Sequence, residues 1–133
     1  IVFNKSTNAG VNWLSEETFV TTQPGGWDYS IPGINRANGL PVTSCDISTG
    51  PNRGTIYINW SDQRNGVTDT DVFLIKSTDG GNTWSDVKRV NDDAPSKQQF
   101  FTWMTIDQST GYLYFVYYYN DNIEIFTMYC IFY

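Results

Sequence analysis

The chain has 133 residues, of which 40% are apolar, 17% aromatic and 17% charged, the composition of one folded domain and not of a disordered segment. Fourteen Asp and Glu against eight Lys and Arg leave a net charge of −6, which repels a phosphate backbone and argues against nucleic-acid partners. Histidine is absent, so His-based triads, His general bases and His-ligated zinc or iron are excluded from these residues, and any metal would need oxygen ligands.

From the N-terminus, Ile1 to Asn4 carry no basic leader, and no apolar run approaches the roughly 20 residues of a membrane span. Ser6 to Trp13 reads STNAGVNW, a turn-rich octet. Residues 23–39, QPGGWDYSIPGINRANG, read as a long connecting loop. The turn at Asp46 to Gly50 precedes Gly54 to Trp60, GTIYINW, whose β-branched and aromatic residues alternate as in a strand. A charged connection follows at 62–71, then a second octet, Ser77 to Trp84, STDGGNTW. The turn at Asp107 to Gly111 precedes another alternating segment, Tyr112 to Tyr118, YLYFVYY. No window keeps a helical apolar stripe and turn residues recur at roughly strand-and-turn spacing, so the expected class is all-β with helix content near zero. Cys45 and Cys130 fit neither a disulfide framework nor a zinc pattern and read as two small buried hydrophobes.

The chain repeats itself. Ser, Thr, Gly and Trp recur at matched offsets in the two octets, 71 residues apart, with Asn8 standing where the other copy has Asp79. A second echo pairs Asp46, Ser48, Thr49, Gly50 and Tyr57 with Asp107, Ser109, Thr110, Gly111 and Tyr114. Mechanically, S-x-D-x-G-x-x-W is a turn lock: the carboxylate accepts backbone N–H groups of its own turn, the glycines permit positive φ, and the tryptophan covers the hairpin.

The octet at Ser77, Asp79, Gly81, Thr83 and Trp84 resembles the Asp box, the BNR repeat of sialidases and related β-propellers, and Ser6, Asn8, Gly10 and Trp13 form a degenerate second box. The runs WSDQRNG at 60–66, DTDVFLIKS at 69–77 and RVNDD at 89–93 are likewise similar to sialidase-like BNR proteins; the similarity covers about residues 1–119 and fades over 119–133. The resemblance implies a partial β-propeller, about two to two and a half four-stranded blades of a six-bladed ring. With the box between the third and fourth strands of each blade, 1–22 end one blade. Residues 40–91 form a complete blade (strands near 40–47, 54–61, 71–77 and 84–91), and 99–133 an incomplete one (near 99–106, 112–119 and within 123–133). Closed propellers need about four to eight blades, so the end faces imply either the remaining blades of a longer parent or self-association. The resemblance also implies a secreted or cell-envelope protein acting on glycans.

On this layout the boxes mark one rim and the ligand loops share the other. Trp27, Asp28, Tyr29 and Arg36 are the reactive content of the 23–39 loop: the aromatics could stack a sugar ring and Arg36 could grip a carboxylate, or Trp27 and Tyr29 pack the loop down and Arg36 is a surface cation. In 62–71, Arg64 is either a substrate clamp or the local partner of Asp62, while Asp62, Asp69 and Asp71 with backbone carbonyls are a weak candidate Ca²⁺ site. Asp92 and Asp93 read as turn-capping residues. Tyr117 and Tyr119 should face one side of their strand and Tyr118 the other, as core packing rather than an aromatic platform.

Sialidase chemistry, as the resemblance implies it, needs three arginines on the substrate carboxylate, a Tyr nucleophile assisted by Glu, and an Asp acid/base. Only Arg36 and Arg64 are expected to reach such a site, since Arg53 falls in a turn on the box rim and Arg89 in an outer strand. Glu16 and Glu17 lie on an outer strand, Glu124 in the divergent tail, and the family's Phe-Arg-Ile-Pro motif is missing beyond Ile31-Pro32. The catalytic set is incomplete in this chain. The expected function is a fragment of an exo-sialidase-like glycoside hydrolase, with two alternatives: a noncatalytic carbohydrate-binding or structural Asp-box propeller, or an Asp-box enzyme of other chemistry using Asp28 and Asp62 as acid and base.

Overall fold

The structure is a computed structural model that describes residues 1–120, together with the backbone of 127–132. It is all-β, with no helix among the described residues, and consists of four antiparallel sheets without a closed barrel. β1 (Val2–Phe3) pairs with β2 (Thr18–Phe19). β3 (Tyr29–Ile31) and β4 (Ile34–Ala37) form a hairpin. β5 (Val42–Cys45), β6 (Ile56–Asp62), β7 (Asp71–Ser77) and β8 (Lys88–Arg89) make a four-stranded meander. β9 (Gln98–Ile106), β10 (Leu113–Asn120) and β11 (Thr127–Phe132) complete a three-stranded sheet, β11-β10-β9.

The meander is the middle layer, because alternation along β6 and β7 gives it two apolar faces. Ile58, Trp60, Phe73 and Ile75 point toward the β1-β2 sheet and pack with Val20, Ile1 and Phe3. Tyr57, Val72 and Leu74 point the other way and pack with Met104, Ile106, Leu113, Phe115 and Tyr117 of the β9-β10 sheet. Each such side chain removed from water contributes roughly 1.5–3 kcal/mol before the entropy of ordering it. Successive sheets therefore stack face to face in chain order.

Three local expectations change. The 23–39 segment is not a plain loop: Pro32-Gly33, with Gly33 at φ +80°, turns the β3-β4 hairpin, whose Tyr29, Ile31 and Ala37 bury against Phe100. The fourth strands are short: β8 keeps two residues of the expected 84–91, and β2 two of 14–22. Cys45 is exposed, not buried, at the end of edge strand β5; the Cys130 side chain lies outside the described residues. Along β10 the alternation runs as far as Tyr118, with Tyr117 buried and Tyr118 exposed, and then breaks, Tyr119 being half-buried and Asn120 buried. Opposite Tyr117, β9 carries a bulge in which Phe101 and Thr102 share one partner position and Phe101 takes φ +51°. That extra residue lets Phe100 enter the hairpin core while Thr102 donates to Asn59 Oδ1 at 2.7 Å.

Candidate functional site

The two octets share a core of matching bonds, to which the second adds bonds from the Asn82 amide and the Thr83 hydroxyl to Asp79. In the second, Ser77 Oγ accepts the Gly81 amide at 2.8 Å, and Asp79 Oδ1 accepts the amides of Asn82 and Thr83 at 3.0 and 2.9 Å. In the first, Ser6 Oγ accepts the Gly10 amide at 2.8 Å and Asn8 Oδ1 accepts the Asn12 amide at 2.9 Å. Ala9 and Gly10 at φ +57° and +84° match Gly80 and Gly81 at +74° and +87°. The flanking ladder repeats as well: Leu14 donates to Lys5 O as Ser85 does to Lys76 O, and Val20 to Ile1 O as Val90 does to Val72 O. Both octets sit on one rim, where Lys5 Nζ reaches Gly80 O at 2.5 Å. Hydrogen bonds from Thr83 and Ser77 hold the Asp79 carboxyl well below the ordinary carboxylate range.

The opposite rim, reached by the β6-β7 and β8-β9 connections, is a polar network. Asp71, fully buried, accepts from Asn65 Nδ2 and Asn91 Nδ2 at 2.5 Å each and from Arg89 at 3.3 Å. Asn91 and Gln99 both donate to the Asp93 carboxylate, at 2.7 and 2.8 Å. Burial outweighs these bonds and pushes the Asp71 carboxyl up from its ordinary value. Arg89 lies on the outer strand β8, as expected, and its guanidinium reaches back to Asp71 and the Asp93 carbonyl. Asp93 is a network acceptor more than a turn cap, and Asp92 is exposed.

Arg64 is consumed locally. Its Nε and Nη2 bind the Asp62 carboxylate, the closest contact being 2.6 Å. Nη2 also donates to Thr22 O, and the guanidinium lies 4.5 Å above the Phe73 ring. Asp62, fully buried, additionally accepts from Trp60 Nε1 at 2.8 Å. The clamp expected of Arg64 is therefore an internal pin of the loop. The candidate Ca²⁺ set is not assembled either. Asp62 is held by Arg64, Asp71 by the amides, and Asp69 accepts the Ser96 amide at 2.7 Å. Among the described residues no cluster of three acidic or thiol groups could hold a metal ion.

In the hairpin the candidates separate. Tyr29 is buried, its hydroxyl on Ser61 Oγ at 2.7 Å and Asn38 O at 3.0 Å, and burial raises it to about 12. It packs the hairpin down and offers no stacking face to a sugar. Asp28 is exposed, and Trp27, 58% exposed, lines a groove of about 440 Å³ with Gln23, Ile1, Phe3, Thr43 and Ile58. Arg36 is exposed on β4 with no hydrogen bond or ion pair among the described residues, whereas Arg53 binds the carbonyls of Ile47 and Ser48 on the box rim. Sequence reasoning missed the Asp71–Asn91–Asp93–Gln99 network; a polar side chain at every alternate position of NDD and QQ, flanking predicted strands, was the available signal. Glu124 lies outside the described residues.

No family model, curated protein or solved structure matches the chain in any of the three comparisons. No helix among the described residues is long and apolar enough to cross a membrane.

Proposed function

We propose that the chain is part of a BNR-repeat, sialidase-superfamily β-propeller, whose parent binds or processes glycans outside the cytoplasm and whose present portion is inactive alone. The observation that carries this reading is the shared core of the two turn locks, a serine Oγ on the glycine amide and an Asx Oδ1 on the amide four residues on, repeated on two face-stacked sheets. Stacked antiparallel sheets with one lock each are what a radial array of blades requires. Within it Arg36 is the residue best suited to an acidic sugar, being the one arginine whose guanidinium has no partner among the described residues; Trp27 supplies an exposed ring.

The noncatalytic reading is favoured over the hydrolytic one by a specific observation. Three of four arginines are tied to carboxylates or carbonyls, so the three-arginine grip of a sialidase cannot come from these residues. Titration of the whole protein with sialyl-lactose, alongside a fluorogenic sialoside assay, tests both. Binding without turnover, weakened about tenfold or more by Arg36→Ala, is the expected result. Turnover would reinstate the hydrolase, and indifference to Arg36→Ala would remove Arg36 from the site.

A further inference from the structure

Between β5 and β9, the facing edge strands of two successive sheets, lies a groove of about 280 Å³ that neither the locks nor the polar rim uses. It is lined by Asn38, Leu40, Val42, Phe101, Thr102 and Trp103, with no charged side chain among them. The β9 bulge shapes one wall: Thr102 turns inward onto Asn59, and Phe101 and Trp103 are left 41% and 60% exposed. Phe101 is nevertheless fixed, its ring standing edge-on to Phe100 and Tyr118 with centroids 5.1 and 6.1 Å away. That wall is formed before any ligand arrives. The mouth is cationic. Ala37 is buried against Phe100, and its neighbours Arg36 and Asn38 lie on the other side of the chain. Asn38 reaches the groove, and Arg36 stands two residues back, roughly 6.6 Å along an extended segment, a span that its side chain covers. Asn38 Oδ1 accepts the Leu40 amide at 3.2 Å, while Asn38 Nδ2 and the Arg36 guanidinium have no hydrogen bond among the described residues.

We propose that this groove binds a small apolar carboxylate, an aryl or branched-alkyl acid whose hydrocarbon body lies on Leu40, Phe101 and Trp103 and whose carboxylate pairs with Arg36 and Asn38 Nδ2. Apolar surface leaving water supplies most of the affinity, and the guanidinium selects the acid. A sugar fits this lining poorly. The Thr102 hydroxyl is already engaged by Asn59, so among the lining side chains only Asn38 Nδ2 is left to satisfy a ring of hydroxyls, and hydroxyls buried without partners are costly. The volume is at the small end for ligand pockets, enough for one ring and a short chain and too little for an oligosaccharide or a folded segment. The groove shares Arg36 with the glycan reading without resting on it. Failure of sialyl-lactose to bind leaves the groove standing, and the decisive residue here is Trp103.

The test titrates the intact chain with phenylbutyrate, the matching alcohol phenylbutanol, and glucuronate, by calorimetry and by two-dimensional amide NMR. The expected result is saturable 1:1 binding of the acid, with amide shifts centred on Leu40, Val42 and Phe101 to Trp103. The alcohol should bind about tenfold more weakly or worse, and glucuronate more weakly still. Arg36→Ala should bring the acid down to the level of the alcohol and leave the alcohol unchanged, whereas Trp103→Ala should weaken both about fivefold. Both side chains are exposed, and unchanged amide spectra away from the groove verify that the variants keep the fold. Equal affinity for acid and alcohol in the unsubstituted chain, full-strength binding by Trp103→Ala, glucuronate binding as tightly as phenylbutyrate, or no saturation at millimolar ligand overturns the proposal.

Discussion

The octets at 6–13 and 77–84 share a core of hydrogen bonds and two left-handed positions, Ala9-Gly10 and Gly80-Gly81, yet their tryptophans meet different surroundings. Trp84 packs edge-on against Phe3, ring centroids 5.3 Å apart, within the cluster between the first two sheets. Trp13 is 61% exposed. Gly81 lies directly under Phe3, whereas nothing approaches Gly10 within 4 Å of where a Cβ would stand. The turn is therefore self-sufficient, closed by its own Ser and Asx side chains, and the tryptophan reports only whether a preceding sheet lies against it. One motif does two separable jobs: it locks a hairpin and it offers a ring to a neighbour.

The largest expected effect follows from the glycines. Gly81→Ala would bring its Cβ to the Phe3 ring while also holding a left-handed conformation, and should cost about 3 kcal/mol in urea unfolding. Gly10→Ala should cost only the backbone penalty, about 1 kcal/mol. Equal losses would mean that the two turns are loaded alike and that the Phe3 contact is not the difference. Next, Trp84→Ala should lose about 2 kcal/mol and Trp13→Ala under about 0.5 kcal/mol by the same measurement; a large loss at Trp13 would place a hidden partner on its face. The smallest effect concerns pH. The Asp79 carboxyl is held below the ordinary range, so its stabilisation is complete above about pH 4 and fades as pH falls through the depressed value. Asn8 has nothing to titrate. Asp79→Asn should flatten part of the acid limb of Tm against pH, Asn8→Asp should steepen it, and a residual limb from Asp107, lowered by its own Ser109 and Thr110 bonds, should persist. Asp71 works with the opposite sign: burial raises it, so its cost appears as pH climbs through and above the ordinary carboxylate range.

Strands and locks were the legible part of the sequence, because a period of two and a repeated octet are local patterns with local causes. Gly54 to Trp60 and Tyr112 to Tyr118 announced β6 and β10, and the octets announced their turns. The β3-β4 hairpin was not legible. Its strands are three and four residues long, and what orders them is Phe100, brought in from more than sixty residues away through a bulge. The candidate site suffered from the same blindness. Arg36 and Arg64 look alike in sequence, each a lone guanidinium among turn residues; only the fold reveals that Arg64 is pinned between Asp62 and the Phe73 ring while Arg36 has no partner among the described residues. Tyr29 likewise appeared available until Ser61, thirty-two residues on, claimed its hydroxyl. Residue type was legible; prior engagement was not.

Among the described residues the meander has an apolar cluster on each face, one shared with the β1-β2 sheet and one with the β9-β10 sheet. Opening of such an array should begin at its margins and travel inward one layer at a time, so that the slowest-exchanging amides belong to β6 and β7 and the fastest to β1 and β2. Cooperativity in this molecule is thus a property of its interior layer, lent outward, and any added layer would raise the protection of the sheet it touches before that of the whole.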